Sequence, residues 1–187
     1  MDIAISSLCL VVLSPLCLLT AILIKLTSKG PIFYSQTRSG KHGKDFEIYK
    51  FRTMKTDAEK TSGPVWALAQ DNRITPIGKF LRKSRIDEIP QFINVLKGDM
   101  SVIGPRPERP IFVEKLEGKI SDYKKRLTVK PGITGLAQVY HRYDENIDDV
   151  RKKVKYDILY IKNIRFTTDI RIILRTFLVI LTGFGAR

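Results

Sequence analysis

Cysteine, histidine and tryptophan are nearly absent, with two, two and one residues in a chain of 187. Cys9 and Cys17 stand inside an apolar run, without metal-ligand spacing to each other or to His42 and His141. That argues against a zinc site and against a disulfide framework. Two thiols in such a run suit a reducing, cytosol-facing protein. Acidic residues are scarce too, 19 against 33 lysines and arginines, and the net charge of +14 directs the chain toward anionic partners. Nucleic acid, acidic headgroups and phosphorylated ligands are the classes that fit. Internal repeats, low-complexity tracts and a second domain boundary are lacking, so the length suits one domain with an appended anchor.

Charge is missing altogether from Ile3 to Ile24. At about 1.5 Å per residue such a run just crosses a bilayer core of about 30 Å. A cleaved signal peptide fits poorly, because Asp2 replaces the usual basic lead and no small-residue cleavage site follows. Ser14-Pro15 interrupts the run near its middle. Proline removes a backbone donor there, and the serine hydroxyl can bond back to a carbonyl and widen a bend. Each arm is then too short to cross alone, so a re-entrant anchor competes with a kinked spanning helix. Lys25, Lys29, Arg38, Lys41 and Lys44 follow at once and place the remainder in the cytoplasm.

Beyond the anchor, IFYSQ and FEIYKF read as strands around a basic turn at residues 39–44. Residues 55–70 read as a mobile connection carrying Trp66, which suits an interface anchor or core filler as well as a ligand platform. ITPIGKFLRKSRIDEIPQFINVLKGDMS has apolar residues at helical spacing on both sides of Asp87 and Glu88. SVIGPRPERP is a proline-stiffened basic loop, EKLEGKISDYKKRL is helical by period, and KPGITGLAQV is turn-rich. A second amphipathic helix follows in DENIDDVRKKVKYDILYIKNI. The tail DIRIILRTFLVILTGFGAR sets Ile, Leu and Phe against Arg171 and Arg175, as in a helix lying in a membrane interface or packed on the domain.

The adjacent acids Asp87 and Glu88 admit bland readings. Ser84 to Asp87 has capping-box spacing with Pro90 in the first turn, and Arg82, Lys83 and Arg85 are near enough for structural ion pairs. Their company suggests more. Two carboxylates can hold Mg²⁺, which takes oxygen ligands and phosphate together, and one can attack phosphorus to give an acyl phosphate. Arg106 and Arg109, locked among prolines, can fork onto phosphoryl oxygens. The residues alone reach a membrane-bound, cytosol-facing phosphoryl-transfer site.

Three long segments, KGPIFYSQTRSGKHGKDFEIYKFRTM, RITPIGKFLRKSRIDEIPQFINVLKGDMSVIGPRPERP and KPGITGLAQV, closely resemble successive signatures of the bacterial sugar transferases, the monotopic phosphoglycosyl transferases. The resemblance covers nearly the whole chain in order, including the Ser14-Pro15 break. It implies transfer of a sugar 1-phosphate from a UDP-sugar to undecaprenyl phosphate, with UMP released and Mg²⁺ required, at the start of exopolysaccharide or lipopolysaccharide assembly. Asp87 matches the nucleophile that holds the phospho-sugar, and Glu88 matches the second acid, with both as metal ligands. Arg82, Arg85, Arg106 and Arg109 fall on basic positions expected around the phosphates. Lys50 and Arg52 are further candidates for the nucleotide or the acid pair.

The implied architecture is a helix-dominated α/β mixture. Residues 1–28 form a re-entrant anchor, and residues 29–187 form a catalytic domain with a small β-hairpin and interfacial amphipathic helices. The implied location is the cytosolic face of the bacterial inner membrane, in contact with its lipids, and the anchor and tail leave room for a homodimer. Longer relatives carry spanning helices and another domain ahead of this region, so the chain is either a short member consisting of the catalytic unit or a truncated piece of a longer protein. The alternative is a membrane-tethered basic nucleic-acid-binding or scaffold protein. No helix-turn-helix, zinc or RNA-binding signature supports it, and no nucleic-acid partner is expected.

Overall fold

The computed structural model describes residues 1–58, 63, 71–141 and 146–182, so Trp66 and most of its connection lie outside the described residues. The uncharged N-terminal run forms two helices, α1 (Asp2–Val12) and α2 (Ser14–Thr27), bent by 59° at the expected break. Pro15 has no N–H to give to the carbonyl of Val11, four residues back. The Ser14 hydroxyl donates to that oxygen instead, at 2.8 Å. No single helix among the described residues is long and apolar enough to cross a membrane, whereas the bent pair qualifies by length and composition.

Both helices of this bent pair lie against the body of the protein. α1 packs on α4 (Gln91–Lys97) and β3 (Ser101–Ile103), with Ile5 against the central core. Asp2 Oδ1 accepts the Val102 N–H at 3.3 Å, and Ser6 is wholly buried. Near the end of α2, Ile24 is 0 % exposed and packs with Phe51 and Leu81. The outward faces are bare: Leu8, Val11, Leu18 and Leu26 are exposed. Residues 1–28 therefore share a hydrophobic core with the rest of the chain.

β1 (Phe33–Ser39) and β2 (Asp45–Phe51) form the expected hairpin, antiparallel from Phe33↔Phe51 to Ser39↔Asp45. Its aromatic and β-branched residues suit a half-buried pleated surface. Asn94, 0 % exposed on α4, satisfies the backbone of β2. Its Oδ1 accepts from the Tyr49 N–H at 3.0 Å, and its Nδ2 donates to the Glu47 carbonyl at 2.7 Å. Asn94→Ala would orphan both groups, so chemical denaturation should read a loss of about 2–4 kcal/mol. An unchanged midpoint would show that water replaces the amide.

A second sheet was not apparent from the sequence pattern. β3 pairs in parallel with β4 (Gly132–Thr134), inside the segment read as turn-rich. Backbones touch beside this pair, since a Cβ on Gly132 would sit 2.1 Å from the Gly104 nitrogen. The segment read as one helix from Glu114 to Leu127 is two pieces. α5 (Pro110–Glu117) stops at Gly118, Asp122 adopts φ 65°, and a 3₁₀ stretch runs from Tyr123 to Thr128. Ile120, Tyr123 and Arg126 are buried along this broken segment.

α6 (Leu136–Tyr140) leads to α7 (Ile147–Lys162), whose start is capped by Asn146 Oδ1 accepting from the Asp148 and Asp149 N–H groups. α8 (Phe166–Thr182) buries Ile172 and leaves Phe166, Leu174, Phe177, Leu178 and Leu181 exposed. It is fastened to α7 by the Tyr160 hydroxyl donating to Asp169 Oδ1 at 3.0 Å. The central core collects Ile48, Val95, Met100, Val102, Val139, Tyr160 and Ile172. The fold is thus helix-dominated, with two small sheets.

Candidate active site

The acid pair does not stand at a capped helix start. α3 (Pro76–Lys83) ends immediately before it, and the Ser84 hydroxyl donates back to the Phe80 and Leu81 carbonyls at 2.8 and 3.2 Å. It therefore closes the preceding helix, contrary to the capping-box reading. Arg85 then takes a left-handed conformation, φ 60° and ψ 12°. That conformation is uncommon outside glycine and redirects the chain. The 3₁₀ turn Ile86–Glu88 follows, and Pro90 stands at the N-cap of α4 with φ −60°. The reversal turns both acids inward, leaving Asp87 6 % and Glu88 8 % exposed.

Glu88 is held on two sides. Lys50 Nζ, from β2, lies 2.7 Å from Glu88 Oε1, and Arg106 Nη2 lies 2.5 Å from the same oxygen. Arg106 Nη1 approaches Oε2 at 3.4 Å. Burial alone would raise the Glu88 carboxyl, but Arg106 and Lys50 override it and hold the group well below the ordinary carboxylate range. Asp87 has no hydrogen-bond donor among the described residues. Burial, with Glu88 beside it, pushes Asp87 up to about 6, against the pull of Lys50, Arg82 and Arg106. One carboxylate is pinned and favoured in its ionised form; its neighbour, without a donor among the described residues, ionises near neutrality.

Two devices place the surrounding cations. Thr75 caps α3, its Oγ1 accepting from the Gly78 N–H at 3.0 Å, while its own N–H donates to the Thr53 carbonyl at 2.9 Å. The approach is so close that a Cβ on Gly78 would meet that carbonyl at 2.1 Å. Arg82, two turns along, reaches back so that Nε donates to Thr53 Oγ1 at 2.9 Å. The second device is the loop after β3. The Pro105 carbonyl accepts from Gly132 N–H, the Glu108 carbonyl from Ser39 N–H, and the Arg109 carbonyl from Phe112 N–H, at 3.0, 2.9 and 2.9 Å. Arg126 and Arg38 cap the Arg106 and Pro107 carbonyls at 3.0 and 3.4 Å.

Of the expected cations, Lys50 and Arg106 touch Glu88, and Arg82 acts on Asp87 through space. Arg85 lends its backbone bend and adds to the field that favours ionised Glu88. Arg52 is elsewhere: its Nη2 donates to the Ser28 carbonyl and hydroxyl at 2.9 and 2.6 Å, fastening the end of α2 to β2. Arg109 stands at the N-cap of α5 with its guanidinium over the Phe112 ring. Thr53 and Arg126 went unnoticed in the sequence. A threonine beside a strand and an arginine in a charged, helix-like run carry no signal of their own.

The described residues contain no cluster of three or more His, Cys, Asp or Glu side chains that could hold a metal. Among the described residues the acid pair offers two carboxylate ligands, Asp87 and the lightly held Oε2 of Glu88. That donor set fits Mg²⁺, which keeps waters and shares phosphate oxygens, better than a metal requiring a full protein cage. Two buried carboxylates ringed by three fixed cations form an arrangement suited to phosphate esters, with positive charge for the oxygens beside a carboxylate that no described donor holds.

Comparison with known proteins gives the same class. The family described as bacterial sugar transferase matches residues 1–183, and the chain belongs to it. It is 50 % identical over its full length to the UDP-N-acetylgalactosamine-undecaprenyl-phosphate N-acetylgalactosaminephosphotransferase of Aeromonas hydrophila, covering 44 % of that protein. It is 43 % identical over 98 % of its length to the UDP-glucose:undecaprenyl-phosphate glucose-1-phosphate transferase of Klebsiella pneumoniae, covering 39 % of it. The exopolysaccharide production protein PSS of Rhizobium leguminosarum bv. phaseoli is 40 % identical over 89 % of the chain, which spans 86 % of that protein. The chain thus spans under half of the first two relatives.

Proposed function

We propose that the chain transfers a sugar 1-phosphate from a UDP-sugar to undecaprenyl phosphate through a covalent phospho-sugar on Asp87, releasing UMP. The supporting observation is the inequality of the acids: Glu88 is committed to Lys50 and Arg106, while Asp87 is buried without a hydrogen-bond donor among the described residues. A lone pair on an Asp87 oxygen forms the bond to the β-phosphorus. The bond from that phosphorus to the bridging oxygen breaks, and UMP leaves with the electron pair. A terminal oxygen of undecaprenyl phosphate then attacks the same phosphorus, and Asp87 departs as carboxylate. Lys50, Arg82 and Arg106 face the charge that develops on the phosphoryl oxygens. Bound at Asp87 and Glu88, Mg²⁺ would supply further positive charge to those oxygens.

The same reading places the protein on the cytosolic face of the inner membrane as a monotopic enzyme. Support comes from the two arms of the anchor. Both pack on one body, and their outward faces are apolar, as are those of α8.

The test is incubation with labelled UDP-sugar and Mg²⁺ without lipid acceptor. UMP should appear with the label on Asp87, and undecaprenyl phosphate should then discharge it. Because Asp87 must be ionised to attack, the rate of labelling should fall roughly tenfold per pH unit on the acid side of the Asp87 carboxyl, a limb that bound Mg²⁺ would draw below about 6. Release of UDP in place of UMP would exclude the mechanism.

A further inference from the structure

Behind the acid pair lies a second charge cluster that the proposed chemistry does not use. Arg126 is 4 % exposed in the 3₁₀ stretch, and Asp157 is 1 % exposed on α7. Arg126 Nε donates to Asp157 Oδ2 at 3.0 Å, with Nη2 2.9 Å from the same oxygen. Nη1 donates to the Tyr123 hydroxyl at 2.9 Å, and Nη2 also donates to the backbone carbonyl of Arg106 at 3.0 Å. One turn earlier on α7, Lys153 Nζ meets Glu108 Oε1 at 2.8 Å, and Arg38 stands 3.8 Å from Oε2. α7 thus presents a cation and an anion, four residues apart, to an anion in the loop and a cation in the 3₁₀ stretch.

A buried ion pair is weak evidence for stability, since an apolar pair of similar volume often serves as well. Its position is more telling. Arg126 grips the backbone carbonyl of Arg106, one of the two residues that bridge to Glu88. No other side chain could serve a carboxylate, a phenol and a carbonyl together in a fixed plane; lysine has the charge without the fork. Rotation of the Arg106 peptide would swing its guanidinium, and misplacement by about 1 Å can cost about 10²-fold in rate.

We propose that Arg126, held by Asp157, is a positioning residue that fixes the Arg106 backbone so that the guanidinium meets Glu88 and a bound phosphate in one orientation. Its kinetic consequence rests on the phosphoryl-transfer reading; its structural consequence does not.

The test replaces both charges together, as Arg126→Met with Asp157→Leu, so that no lone buried charge remains. The double variant should still fold cooperatively, its midpoint lowered only by the lost donors to the Arg106 carbonyl and the Tyr123 hydroxyl, while kcat for UMP release falls about 10–100-fold, more than KM rises. In protein carrying ¹⁵N-arginine, the Arg106 Nε–H signal should pass from rigid to motionally averaged, a readout that needs no turnover. A stable double variant with wild-type kcat and an unchanged Arg106 signal would overturn the proposal. If that variant does not fold, Arg126→Lys retains the charge and loses the fork. The same loosening of Arg106 is expected there, and its absence would likewise overturn the proposal. Failure of the wild-type protein to release UMP would count against the functional reading alone, with the Arg106 signal still deciding this one.

Discussion

Asp87→Asn should abolish covalent labelling, by on the order of 10³-fold or more, while raising the thermal midpoint at pH 7.5. The two effects share one cause. Asp87 is buried without a hydrogen-bond donor among the described residues, and its carboxyl is pushed up to about 6 from an ordinary value near 4. A carboxyl raised on folding favours the folded state when protonated. That contribution is complete below about pH 4 and is lost as pH rises through about 6. At pH 7.5 the ionised side chain is a net cost, on the order of 1–3 kcal/mol, which the neutral amide removes. Thermal melts without divalent cation should show the advantage of the asparagine variant growing from pH 5 to pH 7.5. A variant no more stable than the parent across that range would mean that Asp87 is better solvated than its burial implies.

Glu88 should behave in the opposite way. Glu88→Ala would leave the part-buried Lys50 and Arg106 with only Asp87 to oppose their charge, a loss on the order of 2–4 kcal/mol. The expected result is a large drop in the denaturation midpoint together with loss of labelling. Glu88→Gln separates charge from shape. With the neighbouring anion gone and Lys50 and Arg106 released toward it, Asp87 should ionise more readily, moving the acid limb of the labelling rate below that of the parent. A glutamine variant whose acid limb moves upward would mean that Glu88 does not supply the repulsion assigned to it. In both proteins the stability and rate effects have opposite signs at Asp87 and the same sign at Glu88, which separates a nucleophile from a holder.

The acids were legible because they are adjacent, and adjacency needs no fold to be seen. The hairpin over residues 33–51, the helix α7 and the bend at Ser14-Pro15 were legible too, each written in local spacing or in a missing donor. What escaped depended on distance along the chain. Arg126 and Asp157 are separated by 31 positions, and each alone resembles an ordinary charge on a solvated helix. β3 and β4 are three residues each, too short to display an alternation, and their pairing is parallel and non-local. Ser84 misled for a different reason. The spacing of a helix start is also compatible with a helix end, and only the left-handed turn at Arg85 decides which occurs. Arg52 followed Lys50 in the same motif, yet it lies beyond the last residue of β2 and turns to Ser28.

The loop from Pro105 to Arg109 has one further consequence. Its prolines carry no N–H, and every carbonyl in it already has a donor. Conformational order that a flexible loop would have to regain in each catalytic cycle is acquired here once, when the chain folds. On the proposed function, the interval between one product leaving and the next substrate binding should then contain no rebuilding of this wall.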